Sequence, residues 1–180
     1  MKVSFELSPR DIKYFRERLQ QAKESKSAED EETVLRLAAE MVEEARASQP
    51  PEYVLERLER LEQLVEMLED DEWNLEGRDR TRLLNALTYF VDPDDLIPDR
   101  IPGLGYIDDA IMIELVAQEL KHDIEAYEDF CDFRSGKKKV GEEVIEKRRD
   151  DLQSRMRRRT RSERQNARGG SKRRSPLGLW

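Results

Sequence analysis

Asp92, Asp94, Asp95, Asp99, Asp108, Asp109 and Glu114 crowd one stretch of the chain. Several carboxylates brought to one place are what a hard cation such as Mg²⁺ or Ca²⁺ takes as ligands. Asp92, Asp95, Asp99 and Asp108 are the candidate metal donors, although their spacing matches no EF-hand loop. The same residues also have a backbone reading. Asp92 before Pro93 is a helix cap followed by a proline at the first helical position, and Asp95 stands where an acidic capping-box partner belongs. Pro98 and Pro102 bias Ile97 and Ile101 toward extended backbone, while Gly103 and Gly105 permit a tight reversal. Asp108 and Asp109 suit the N-terminus of the next helix, where the macrodipole favours negative charge. Cation binding and capping stand as alternative uses of one set of aspartates.

Other reactive side chains are sparse. Glu119-x-x-His122 is half of the pattern that holds a di-iron centre in helical bundles, but that pattern needs a second copy and the chain has 1 histidine. Cys131, between Phe130 and Phe133 near a helix end, reads as a small packed residue. Neither it nor the serines sit in a nucleophile-elbow or phosphate-loop context. No cofactor is implied, and a binding protein fits these residue types better than an enzyme does.

The elements that must position these groups are helices. Ser8-Pro9 with Asp11 announces the first, expected to run to about Lys23 with Ile12, Phe15, Leu19 and Ala22 on one face. After a polar linker, Val34, Ala38, Met41 and Ala45 mark a second, able to pack on the first. Gln49-Pro50-Pro51 ends it and starts a third, whose seam of Val54, Leu58, Leu61, Val65 and Leu68 serves either packing within the domain or dimerisation. Trp73 and Leu75 are expected to fold back on the core. Gly77 then separates them from a fourth helix of about Asp79–Val91, apolar almost all round and so expected at the centre. A long helix over about Asp108–Phe133, with Ala110, Ile113, Ala117, Leu120, Ile124 and Tyr127 on one face, is expected to pack against it.

The run Asp92-Pro93-Asp94-Asp95-Leu96-Ile97-Pro98-Asp99, continued by Ile101-Pro102-Gly103-Leu104-Gly105-Tyr106 and Asp108-Asp109-Ala110, resembles the signature of the YkvA-like family, also called domain of unknown function 1232. The resemblance covers about Thr81–Ala117. It implies a small helical hairpin around a Pro/Asp/Gly connector and occurrence in bacteria, with no catalytic or binding residue to carry over. Some similar proteins are membrane-associated through a more apolar hairpin, from which this chain departs in its strongly charged flanking helices.

Charge divides the chain more sharply than hydropathy does. The net charge is −8, yet residues 134–174 hold 17 Lys/Arg and 6 Asp/Glu, so the local balance is +11 against −19 for the remainder. An acidic body repels nucleic acid and anionic lipid; a basic end attracts both. Arg155, Arg157, Arg158, Arg159, Arg161, Arg164, Arg168, Lys172, Arg173 and Arg174 are the candidate anion-binding residues, faced by one acid, Glu163. They serve either an anionic partner, as RNA, a ribonucleoprotein or a membrane surface, or simple solvation. No aromatic interleaves with them, so base stacking is not suggested. The Gly169-Gly170-Ser171 stretch and the end beyond it read as disorder, closing on Leu177-Gly178-Leu179-Trp180, which would suit an interface or a protein pocket.

No stretch reaches the roughly 18–20 uncharged apolar residues of a spanning helix. With one cysteine and no leader-like opening, a reduced cytoplasmic setting is expected, with peripheral membrane contact as an option. The expected architecture is an all-α, compact helical bundle: residues 1–76 as amphipathic helices on the core, 77–135 as a hairpin whose two central helices flank the connector, and 136–180 as a charged, partly disordered extension. A protein partner for the body is expected as well.

Overall fold

Reciprocal hydrogen bonds open the first helix. The Ser8 N–H donates to Asp11 Oδ2 at 2.8 Å and the Asp11 N–H to Ser8 Oγ at 3.3 Å, a capping box that satisfies two donors the helix start leaves over. The computed structural model describes residues 7–24, 30–91, 105–136 and 141–170, without the side chains of 22–24, 91 and 168–170. Seven α-helices are present among the described residues: α1 Pro9–Glu24, α2 Glu31–Ala47, α3 Glu52–Glu69, α4 Gly77–Leu87, α5 Ile107–Glu119, α6 Lys121–Ser135 and α7 Glu142–Gly170, with a 3₁₀ turn over Thr88–Val91 after α4. The protein is all-α, in two compact units, Met1–Leu120 and Lys121–Trp180.

In the first unit the apolar stripes read from the sequence become the core. Phe15 and Leu19 of α1, Val34, Ala38 and Ala45 of α2, and the whole α3 seam of Val54, Leu58, Leu61, Val65 and Leu68 are buried. Helix α3 packs on α2 and α5, so its seam is used inside the unit. Helix α1 packs on α4, the 3₁₀ turn and α5. The α2 start is capped by Asp30, whose Oδ1 accepts the Thr33 N–H at 2.8 Å. That bond holds the Asp30 carboxyl below the usual carboxylate range.

After α3, Asp70 Oδ1 accepts the N–H groups of both Glu72 (2.9 Å) and Trp73 (3.0 Å). The turn drives Trp73 and Leu75 inward, as expected; they are 0% and 1% exposed. Gly77 has φ +60°, and a Cβ there would meet nothing within 4 Å. Backbone conformation, rather than space, therefore explains the glycine.

The central helix is α5 rather than α4. Every residue from Ile107 to Ile113 is buried, whereas α4 buries Leu83, Ala86 and Leu87 and exposes Arg78, Thr81 and Asn85. The single helix expected over 108–133 is also two. At Leu120 the backbone leaves the α basin (φ −100°, ψ 14°) while its N–H still reaches the Val116 carbonyl, and no glycine or proline marks the break.

The second unit is an α6/α7 hairpin, in which the charged extension expected over 136–180 supplies a long helix that packs on α6. Helix α7 is continuous for 29 residues, including Gly169 and Gly170, which read as disorder from composition. Leu152, Met156 and Gln153 are buried on α7, and Ile124, Tyr127 and Phe130 on α6. The cross-helix pairs run in opposite order: Lys121 and His122 meet Glu163, Glu125 meets Arg159, and Phe133 lies under Arg148. The two helices are therefore antiparallel.

Candidate functional site

Most of the aspartate-rich connector, including Asp92, Pro93, Asp95, Pro98, Asp99, Pro102 and Gly103, lies outside the described residues. Its last residues turn into α5, and there the left-handed position falls on Tyr106 (φ +65°, ψ 8°) instead of a glycine. That conformation costs a non-glycine residue about 1–3 kcal/mol, offset by burial of the phenol ring, which is 6% exposed. Asp108 and Asp109 stand in the first turn of α5 as expected, but they are core residues, 2% and 7% exposed, and both have partners. Of the candidate metal donors, Asp108 alone is described. Among the described residues no three or more His, Cys, Asp or Glu side chains are grouped to hold a metal.

A residue that the sequence gave no reason to single out, Arg80, ties this part of the chain together. Its Nε donates to Glu31 Oε1 at 2.9 Å and its Nη2 meets the same oxygen. Its Nη1 donates to the main-chain carbonyls of Leu68 (2.8 Å) and Leu75 (3.2 Å). One guanidinium thus joins α4 to the start of α2, the end of α3 and the Trp73 turn. Hydrogen bonds to charged groups contribute about 1.5–3 kcal/mol. Arg80→Ala should therefore lower unfolding free energy by about 2–3 kcal/mol in a urea titration. Arg80→Lys should restore only part of it, because a point charge cannot serve three acceptors in a fork. Equal stability of wild type and Arg80→Ala would remove the clasp from the account.

In the hairpin, His122 is the pivot of a charged cluster. Its Nε2 lies 3.0 Å from Glu163 Oε2 and its Nδ1 3.5 Å from Glu125 Oε2. Lys121 Nζ reaches Glu163 Oε1 at 2.7 Å and Arg159 Nη1 reaches Glu125 Oε2 at 2.7 Å. The histidine of the Glu119-x-x-His122 motif therefore serves α6–α7 pairing. Cys131 is half-buried on α6, with the Arg134 guanidinium 3.9 Å from its sulfur.

The hydrogen bond from Lys121, with a further contribution from His122, holds the Glu163 carboxyl below the ordinary glutamate value. A carboxyl depressed on folding contributes stability above its unfolded pKa, and that contribution is lost as pH falls through the folded value. Amide-exchange protection around Glu163 should accordingly fall as pH drops below the ordinary glutamate range. Glu163→Gln should weaken that acid-dependent step; an identical profile in the variant would contradict the assignment.

The basic candidates divide by partner. Arg155 pairs with Asp151 (3.3 Å), Arg159 with Glu125, and Arg157 donates to Gln153 Oε1 (3.1 Å). Arg158 donates to its own helix at the Ser154 carbonyl (3.3 Å). Arg158, Arg161 and Arg164 are exposed and make no ion pair among the described residues. The side chain of Arg168, and Lys172, Arg173, Arg174 and Trp180, lie outside the described residues.

Comparison with known proteins agrees with the resemblance read from the connector. Residues 80–115 match the family described as "Protein of unknown function (DUF1232)", so the chain carries a YkvA-like DUF1232 segment. Over 46 residues it is 46% identical to a Bacillus subtilis (strain 168) protein named "Uncharacterized membrane protein YkvA", a stretch covering 26% of this chain and 43% of that relative. The chain thus spans less than half the length of the relative it matches. No solved structure matches it significantly. The match begins at Arg80, on the clasp, and ends within α5. Among the described residues no helix is long and apolar enough to cross a membrane.

Proposed function

We propose that the chain is a non-catalytic helical binding or scaffold protein whose basic C-terminal helix engages an anionic partner, RNA or a ribonucleoprotein ahead of an anionic membrane surface. The observation that carries this reading is the charge polarity of α7. Its first half, to Gln153, mixes both signs, whereas Ser154–Gly170 holds seven arginines and one acid on a helix docked along α6. Dipole complementarity accounts for basic residues only in the last turn, and this run is far longer. The acidic first unit, which would repel a polyanion, is assigned to protein contacts. A cytoplasmic setting follows from the same reading, with peripheral membrane contact as its lesser form.

A tagged pull-down of the full chain, with and without nuclease, tests the reading. Co-purifying RNA whose removal strips bound proteins is the expected result. A full chain that binds neither labelled RNA nor anionic vesicles at low salt would refute it.

A further inference from the structure

We infer that Arg158, Arg161 and Arg164 form one face of α7 that grips the phosphate backbone of a nucleic-acid duplex without reading its sequence. The inference deepens the proposal above and rests on it.

At 100° per residue, positions 158, 161 and 164 fall on one side of the helix, whereas Arg157 reaches back to the buried Gln153; the three arginines alone make the face. They turn away from the α6-facing seam, where Leu152 and Met156 are 2% and 1% exposed. From 158 to 164 the helix rises about 9 Å, a length over which a duplex presents roughly five phosphate charges. The three guanidiniums thus meet a row of anions from a helix held along α6, with little further ordering of the backbone required.

Charge complementarity alone would also admit a membrane or a single strand, but the composition of the helix disfavours both. Between Arg157 and Gly170 the one apolar side chain belongs to Ala167. A helix lying in a lipid interface needs an apolar face to insert. Binding to single strands relies on aromatic platforms for the bases, and no aromatic occurs in Ser154–Gly170. The remaining solution is a duplex held through its phosphates, with Ser162 and Gln165 as further donors to the same backbone.

The chain supplies its own control. Arg149, Arg155 and Arg159 lie on the same helix but are ion-paired, with Asp150 (3.0 Å), Asp151 (3.3 Å) and Glu125 (2.7 Å) respectively. Replacing Arg158, Arg161 and Arg164 by Gln removes as much charge as replacing Arg149, Arg155 and Arg159 by Gln. The probes are a 20-base-pair RNA duplex, its DNA counterpart, and phosphatidylserine/phosphatidylcholine vesicles, each titrated with the full chain across a salt series, with circular dichroism to confirm helix content.

The exposed-face triple should lose roughly 10- to 100-fold in duplex affinity at about 0.1 M salt, and its log–log salt slope should shrink by about 3. The paired triple should lose much less, and the two duplexes should bind wild type within a few-fold of each other. Equal losses in both triples would overturn the face while leaving general anion binding intact. Vesicle binding as tight as duplex binding would overturn the choice of a nucleic acid. Absence of binding to any probe by wild type would take down the underlying reading with it.

Discussion

Trp73→Ala should lower the unfolding free energy of the first unit by about 3–5 kcal/mol, the range for emptying a tryptophan-sized site. The indole is 0% exposed, in a turn whose position is fixed by the Asp70 carboxylate and by Arg80 at the Leu75 carbonyl. Such a turn has little freedom to collapse into the void. Against the roughly 5–15 kcal/mol of an ordinary domain, such a loss removes a large share of the total. Urea titration followed by circular dichroism reads it directly. A change below about 1 kcal/mol would mean that the site relaxes and that Trp73 is not a keystone of this core.

Combining Leu152→Ala with Met156→Ala should release α7 from α6. Each truncation costs about 2–5 kcal/mol at a buried site, and a two-helix hairpin has few other apolar contacts to make good the loss. Exposed pairs such as Lys121–Glu163 are screened by solvent and contribute little, so the charged ladder cannot hold the helices alone. Amide-exchange protection should fall along α7 and on the facing side of α6, while α2 and α3 keep theirs. Unchanged protection in α7 would show that it is ordered by something other than this seam. The same argument makes removal of residues 137–180 a poor test of anion binding, because it strips α6 of its partner along with the arginines.

How far the sequence reveals this architecture depends on which interaction fixes each part. Caps and strong apolar periodicity act within a few residues, so Ser8, Asp11, the α3 seam and the inward turn at Trp73 were all legible. The α7 seam is sparse: Ile145, Leu152 and Met156 keep helical spacing, but arginines surround them, and half-buried Arg148 and Arg149 add their alkyl stems. Composition read the segment as a charged, partly disordered extension, serving an anionic partner or simple solvation, whereas three well-placed apolar residues sufficed to dock it. Arg80 acts on main-chain carbonyls from three different elements, a contact that leaves no trace in residue type or spacing. The break at Leu120 carries no glycine or proline either. At the connector, glycine was the natural choice for a left-handed residue, yet the burial of its ring lets Tyr106 take that conformation. The candidate site was therefore legible as a list of basic residues, and the division into paired and outward-facing arginines emerged only from the hairpin.

The most direct test of the central claim is the salt dependence of the full chain's affinity for a labelled RNA duplex, followed by fluorescence anisotropy. With about three arginines on phosphates the log–log slope should be roughly −2.7, steepening if the basic residues beyond Gly170 take part. A slope near zero, or no binding at low salt, would contradict the account and leave the arginines of α7 as a solvating face.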